Sequence, residues 1–410
     1  MKQSQLFTKT KKESPKDEVS LNAQLLIRAG FIDKVMAGVY TYLPLGLRVI
    51  KKIENIIREE MNAVGGQEIF MPSLQPKENW EQTGRWSTMD DLYKVKDASD
   101  REFALGGTHE EIVSPLVKKY IQSYRDLPFA VYQFQNKFRM ELRSKSGILR
   151  GREFLMKDLY SFHLTEEDLD NYYTEVTNSY IRIFSRMGIG EQTYLTFASG
   201  GSFSKYSHEF QTLCEAGEDT IHICKKCRVA VNKEIINDVP ACPGCGQKKL
   251  EEAKSIEVGN IFKLGTKYSA PFDLKVKDEK GNDVILTMGC YGIGLGRLMG
   301  TIVELFHDKG GIVWPEDVAP FKVHLIALDG AETEADRLYD EMMGKGGEVL
   351  YDDREGKTAG EKFAEADLIG LPIRLVLSKK TLAEESVELK KRNEKEARLV
   401  PLADIIGVVS

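Results

Sequence analysis

Phe138-Arg139-Met140-Glu141, followed a short loop later by Arg150-Gly151-Arg152-Glu153-Phe154, is the stretch on which the reading of this chain turns. The segments on either side, Val131 to Phe138 and Glu153 to Phe162, predict two antiparallel strands joined by a long loop. Arg139 and Phe154 then sit near the base of one hairpin. A fixed guanidinium beside an aromatic face suits a nucleotide, with phosphate on the one and adenine on the other. From Lys137 to Lys157 there are seven cations (137, 139, 143, 145, 150, 152 and 157) against two anions (141 and 153), a local excess of five. A solvated basic hairpin would show the same charges, so the stretch gains meaning only from its neighbours.

Upstream, Leu45 to Val64 has helical periodicity, with Val49, Ile50, Ile53, Ile56, Ile57, Met61 and Val64 on one stripe. Gly65-Gly66 ends that helix, and Gln67 to Met71 reads as a strand stopped by Pro72. Downstream, Thr165 with Asp168 approximates a capping box, opening a helix that carries aromatics at core spacing as far as Met187. Further strands are expected at Phe103 to Leu105, Asn260 to Leu264 and Asp283 to Met288. Strands separated by long loops point to an α+β fold, an antiparallel sheet with flanking helices. From Pro320 the pattern changes to alternating strands and helices: 321–328, 332–343, 348–351, 359–369 and 373–377. A separate C-terminal α/β domain of about 90 residues follows.

No G-x-x-x-x-G-K-[ST] loop is present. Gly292-Ile-Gly294-Leu-Gly296-Arg297 imitates a dinucleotide fingerprint but puts Arg297 where the third glycine belongs. It offers instead a path of small residues opening a helix, with a guanidinium at its entrance. Close ligand approach, or plain packing of helix on sheet, would each account for it.

Cys224-x2-Cys227 and Cys242-x2-Cys245 are spaced as a metal site, and four thiolates would make it structural, with zinc the expected ion. They lie in a Lys-rich segment, residues 217–254, too poor in apolar residues to hold itself together. The 410 residues are 42% hydrophobic and 29% charged, ordinary for a folded chain of two or three domains. Apolar runs fall short of the roughly 18 residues a membrane span needs, and no secretory signal is visible, so the expected address is the cytoplasm. A net charge of −6 argues weakly against a nucleic-acid partner.

Taken together, these stretches resemble the three signature motifs of class II aminoacyl-tRNA synthetases. The helix to Pro72 looks like motif 1, Phe138 to Phe154 like motif 2, and Gly292 to Arg297 like motif 3. Within the class, the chain resembles the prolyl-tRNA synthetases of bacterial type. The stretches that decide it are Arg28-Ala-Gly30, Gly38 to Pro44, Gly106-Gly-Thr108-His-Glu110-Glu111, Arg152 to Asp158, Ser207-His-Glu-Phe210 and Thr287 to Gly292. Asp352-Asp-Arg354 and Phe363 to Pro372 resemble the anticodon-binding domain of the subgroup. Residues 1–216 and 255–319 would form the catalytic domain, 217–254 a small four-cysteine zinc-knuckle insertion, and 320–410 the anticodon-binding domain.

The resemblance implies L-proline, ATP with Mg2+, and tRNA(Pro) as substrates, and a homodimer. It assigns Thr108 and Glu110 to the substrate's nitrogen, and Arg139 to the proline carboxylate and α-phosphate. Glu141 and Phe154 would take the adenine, Arg150 and Arg297 the β- and γ-phosphates. Asp158, His208 and Cys290 would lie at the proline pocket; a satisfied core histidine and an inert buried thiol are equal alternatives for the last two. His109 and Glu111 should face away if the segment is extended. Residues 217–254 are far too few for the large editing domain of many bacterial relatives, so alanine mischarged onto tRNA(Pro) should not be cleared in cis.

Three rivals remain. A threonyl-type enzyme would need a catalytic zinc with an open position, which four cysteines deny. A synthetase-like regulator would be expected to lose motif arginines, yet Arg139, Arg150 and Arg297 are present. A zinc-ribbon module on a scaffold leaves motifs 2 and 3 unexplained.

Overall fold

The computed structural model describes residues 1–409 apart from 143–145, 202, 204–205 and 240. Its backbone falls into two compact units: residues 36–39 with 54–301, and residues 1–35, 40–53 and 302–410.

The first unit is built on a nine-stranded sheet. Its strands in chain order are β1 (Gly66–Glu68), β2 (Phe129–Phe138), β3 (Glu153–His163), β4 (Thr193–Ser199), β5 (Tyr206–Leu213), β6 (Asp219–Ile223), β7 (Val229–Asn232), β8 (Glu251–Gly265) and β9 (Thr287–Gly294). The spatial order is β5-β4-β7-β6-β8-β9-β3-β2-β1, and β5 also pairs with β8. All pairings are antiparallel except β1 with β2 and β7 with β4. The hairpin read from sequence is β2–β3, in register from Phe129↔Phe162 to Phe138↔Glu153. Helix Glu166–Arg186 buries Leu169, Tyr173, Val176, Tyr180, Ile183 and Phe184 on one face, the aromatic spacing of a core helix. Thr165 caps it by accepting from the Asp168 N–H at 3.2 Å. The Asp168 carboxylate turns instead to His163 Nδ1 at 2.8 Å, so the expected capping box is only half formed.

Several expectations need correcting. The strand after Gly65 covers only Gly66–Glu68; Ile69 still donates its N–H to the Tyr132 carbonyl, but the chain then leaves the sheet. The Cys-bearing insertion, expected as a small knuckle, also extends the sheet. It supplies β6 and β7, which insert between β4 and β8 and lengthen the sheet, and Ile221, Ile223 and Ala230 are buried with Tyr194. The basic hairpin is also less basic on its surface than the count suggests. Lys137 and Lys157 are fully buried, and Arg143 and Lys145 lie outside the described residues.

The second unit carries a five-stranded sheet from Val323–Ala327, Val349–Asp352, Ile373–Leu377, Ser386–Lys391 and Arg398–Pro401. The first three pair in parallel, with Val349–Asp352 and Ile373–Leu377 flanking Val323–Ala327, as the alternating pattern requires. Helices Glu332–Gly344 and Ala359–Ile369 make the crossovers. Arg354 is held by Asp352 and Glu365, each at 2.7 Å. The N-terminal residues are tied down here: the Met1 amino group donates to the Val349 carbonyl at 2.7 Å, and Gln3 meets His324 Nε2 at 3.1 Å.

Candidate active site

A cavity of about 310 Å3 opens on the middle of the nine-stranded sheet. Its walls come from the β2–β3 loop (Arg139, Glu141, Arg150), from β3 (Phe154, Met156, Asp158, Tyr160), from β8 (Glu257 to Asn260) and from β9 with the helix after it (Cys290, Gly292, Gly294, Arg297). Thr108 joins from the turn before helix Glu110–Val117. The period-2 pleat explains the selection. Phe154, Met156, Asp158 and Tyr160 face one way, while Lys157 faces the other.

Two of the three arginines are held by backbone oxygens and the third by a carboxylate. Arg139 donates from Nε and Nη2 to the Gly107 carbonyl at 3.3 and 3.2 Å, and its guanidinium carbon lies 5.4 Å from the Phe154 ring centre. Arg297 donates to the Leu149 and Glu257 carbonyls at 2.9 and 3.0 Å. Arg150 pairs with Glu218 at 3.2 Å. Glu141 is tethered through its main chain, whose carbonyl accepts from Arg152 Nε at 3.0 Å. A Cβ built on Gly292 or Gly294 would meet nothing nearer than 3.7 or 3.6 Å. Protein packing therefore does not demand these glycines; the space they leave belongs to the cavity.

Beside Thr108 the chemistry is carboxylate. Glu110 is fully buried behind the wall: its Oε2 accepts from the Thr108 hydroxyl, and its Oε1 lies 3.3 Å from Cys290 Sγ. Burial, reinforced by Glu110 and Asp158, pushes the Cys290 thiol well above its ordinary value, so it stays protonated. Asp158 is paired with Lys137 at 2.7 Å and accepts from Gln133 Nε2 at 2.9 Å. Burial would raise the Asp158 carboxyl, but Lys137 and its other polar neighbours hold it below the usual range.

His109 and Glu111 do not simply face away. The segment is a helix start, not extended chain: His109 is the residue before the first turn, and Glu110 and Glu111 occupy that turn. His109 is buried, and desolvation together with Lys137 lowers its imidazole to about 3. Its Nδ1 therefore accepts from Lys137 at 2.7 Å, leaving Nε2–H for the Pro72 carbonyl at 3.2 Å. Glu111 is held by Arg85. Sequence reasoning passed over Arg85, Gln133 and Lys137; a charged or amide residue at an inward position of an otherwise apolar strand was the available signal for the last two.

His208 is not brought to the cavity wall. It sits on β5 with Nδ1 2.7 Å from the Tyr173 hydroxyl and its ring 4.3 Å from Phe197, and burial lowers it to about 4. The four cysteines 224, 227, 242 and 245 do converge, with all Sγ atoms within 4.8 Å of one another and the closest pairs at 3.3 and 3.6 Å. Zn–S bonds of about 2.3 Å imply tetrahedral edges of about 3.8 Å, so the donor set fits zinc.

Residues 93–306 match the tRNA synthetase class II core domain (G, H, P, S and T), and residues 318–410 match an anticodon binding domain. The chain is 41% identical to a proline--tRNA ligase of Wolbachia pipientis wMel over 427 positions, 99% of each chain. It is 34% identical to that of Syntrophomonas wolfei subsp. wolfei, with 98% of this chain and 97% of the relative covered, but there the alignment runs to 557 positions. In fold it is similar to a Giardia lamblia prolyl-tRNA synthetase in complex with prolyl-adenylate, with a TM-score of 0.78, 19% identity, and 93% of this chain and 74% of that one covered. The chain belongs to the proline--tRNA ligases, within the class II aminoacyl-tRNA synthetases.

Proposed function

We propose that the 310 Å3 cavity is where this proline--tRNA ligase joins L-proline to ATP, forming prolyl-adenylate, and from which it passes the prolyl group to the terminal ribose of tRNA(Pro). The observation that carries this placement is the layout of the cavity wall. Phe154 and Asp158 line it four residues apart along β3, and Arg139, over Phe154, is held on the Gly107 carbonyl next to the Thr108–Glu110 pair. Proline's secondary ammonium would be received by Thr108 and Glu110, with Asp158 and Cys290 beside it. Arg139 would bridge the proline carboxylate and the α-phosphate. Phe154 and Glu141 would take adenine, while Arg150 and Arg297 hold the outer phosphates of ATP, which comes with Mg2+.

The proline carboxylate attacks the α-phosphorus in line and pyrophosphate leaves, so no protein nucleophile is needed. The side chains orient the reactants and stabilise negative charge that builds in the transition state. Arg139→Ala should lower proline-dependent ATP–pyrophosphate exchange by about a hundredfold or more, with little change in melting temperature. Exchange near the wild-type rate would overturn the assignment.

The remaining parts of the reading stand with it. Residues 1–216 and 255–319 act as the catalytic domain, 217–254 as its four-cysteine insertion holding a structural Zn2+, and 320–410 as the anticodon-binding domain. The enzyme works in the cytoplasm as a homodimer, for which exposed Phe70 and Leu74 offer apolar surface after the motif 1 helix. Sedimentation equilibrium tests the dimer. No cis-editing of Ala-tRNA(Pro) is expected.

A further inference from the structure

Glu110 has company beneath the cavity. Arg85 Nη1 lies 3.1 and 3.2 Å from the two carboxylate oxygens of Glu111 and 3.3 Å from Oε2 of Glu110. Both glutamates are fully buried and Arg85 is 6% exposed. Glu111 also accepts from the Thr83 hydroxyl at 2.9 Å. The rest of the guanidinium is walled by the rings of Trp80, Phe203 and Tyr268, at 5.2, 5.1 and 5.3 Å, and Nη2 reaches Met89 Sδ at 3.5 Å. Stripped of water, this cation acts on the two carboxylates at low dielectric.

The neighbouring ions cancel: Asp158 is matched by Lys137 at 2.7 Å, and His109 is neutral. Burial raises the Glu111 carboxyl, Arg85 opposes that rise and Glu110 adds to it; with the guanidinium bonded to both carboxylates, two anions against one cation leave one formal negative charge. Arg85 leans towards Glu111, making two contacts there and one with Glu110. Thr108, Arg85 and Cys290 together fix the Glu110 carboxylate in place.

We propose that Arg85 and Glu111 are positioning residues that set the affinity for the amino acid: they form a neutral pair that anchors Glu110 while leaving its charge free for a cationic secondary amine. The proposal rests on the reading that Glu110 receives the substrate nitrogen.

Neutralising Glu111 hands the whole of Arg85 to Glu110. Glu111→Gln, close in shape and touching no substrate, should raise KM for proline by about tenfold, the effect of weakening one charge contact by about 1.4 kcal/mol. Arg85→Met leaves two carboxylates facing each other in a dry site, which must share a proton, and should raise that KM as well. The double variant R85M/E111Q leaves Glu110 with a full negative charge and neither a cation nor a second carboxylate to share it with, so its KM for proline should fall below that of either single variant. Arg85→Lys keeps the charge and should stay nearest the wild type. KM for ATP should move by less than about twofold throughout, because the contacts of Arg85 and Glu111 among the described residues include neither Arg150 nor Arg297.

The measurement is ATP–pyrophosphate exchange by the full chain at varied proline and varied ATP, with melting curves alongside. If Arg85→Met fails to fold, Glu111→Gln and Arg85→Lys carry the test. An unchanged proline KM in Glu111→Gln, or a double variant worse than both singles, overturns the charge balance. Glu110→Gln separates the two readings. If it leaves the proline KM unchanged, Glu110 does not hold the nitrogen. If it raises that KM sharply while the double shows no recovery, only the role of Arg85 and Glu111 falls.

Discussion

Lys157 and Asp158 are adjacent in sequence, yet the pleat of β3 sends them to opposite faces of the sheet. Asp158 faces the cavity and finds Lys137. Lys157 enters the core, donating to the Tyr180 hydroxyl at 2.6 Å and the Tyr291 carbonyl at 3.0 Å, with no ion pair among the described residues. Burial lowers its ammonium to about 7. The folded value lies below the unfolded one, so between about pH 7 and 10 the unfolded chain holds a proton that the folded chain has released. Stability should therefore rise with pH across that window. Lys157→Met should flatten this rise, as read from urea midpoints at about pH 7 and about pH 9.5; an equal rise in both proteins would mean Lys157 is ordinary. At this scale residue type and spacing were enough to put Arg139 and Phe154 at one hairpin, whereas Thr108 came only from the family resemblance. Lys137 and Lys157 were counted as surface charge, because a letter does not reveal which side of a strand it occupies until the burial of both faces is known.

Among the elements, the Cys segment departs furthest from expectation. Its composition announced a metal site, and the thiols do converge, but strands β6 and β7 within it complete a sheet that nothing in the residue pattern asked to be extended. Four- and five-residue strands with mixed polar residues carry too little periodicity to be read alone. The segment is closed at its base by a tight contact: a Cβ on Gly217 would lie 2.1 Å from the Ser255 carbonyl oxygen. Backbone cannot yield as a side-chain end can. Gly217→Ala should destabilise the first unit by about 1–3 kcal/mol, seen as a lower melting temperature. By contrast, the helices at 44–63 and 166–186 and the C-terminal strand–helix alternation were legible almost to the residue, since long periodic stretches and glycine stops fix them.

For the molecule as a whole, the net charge of −6 misdirected the reading of its partner. Residues 321–410 hold fourteen Lys and Arg against nineteen Asp and Glu, so the anticodon-binding match is itself acidic. Total charge sums over surfaces that never meet the same ligand, so an acidic total is compatible with a tRNA substrate held by local basic patches. Chain length was the better guide. Alignment with the Syntrophomonas relative extends to 557 positions for a chain of 410 residues, so this protein lacks sequence that the relative carries. A pocket shaped for proline discriminates only modestly against smaller alanine. Purified enzyme incubated with Ala-tRNA(Pro) should leave it intact beyond the spontaneous rate, and measurable deacylation would refute that.

Strand β8 runs from the cysteine lobe to the wall of the cavity without a break. Glu251 to Ser255 pair with β6, Glu257 to Asn260 line the cavity, and Asn260 to Gly265 pair with β9. The same strand that pairs with β6 of the cysteine segment presents the Glu257 carbonyl that holds Arg297. With the proposed structural zinc in the four-cysteine site, its removal should register as a nucleotide defect before the protein unfolds. A thiol-competitive chelator should raise KM for ATP more than KM for proline, and added zinc should reverse it. In a metal-poor cell, this synthetase would slow protein synthesis by loosening its hold on ATP while still recognising its amino acid.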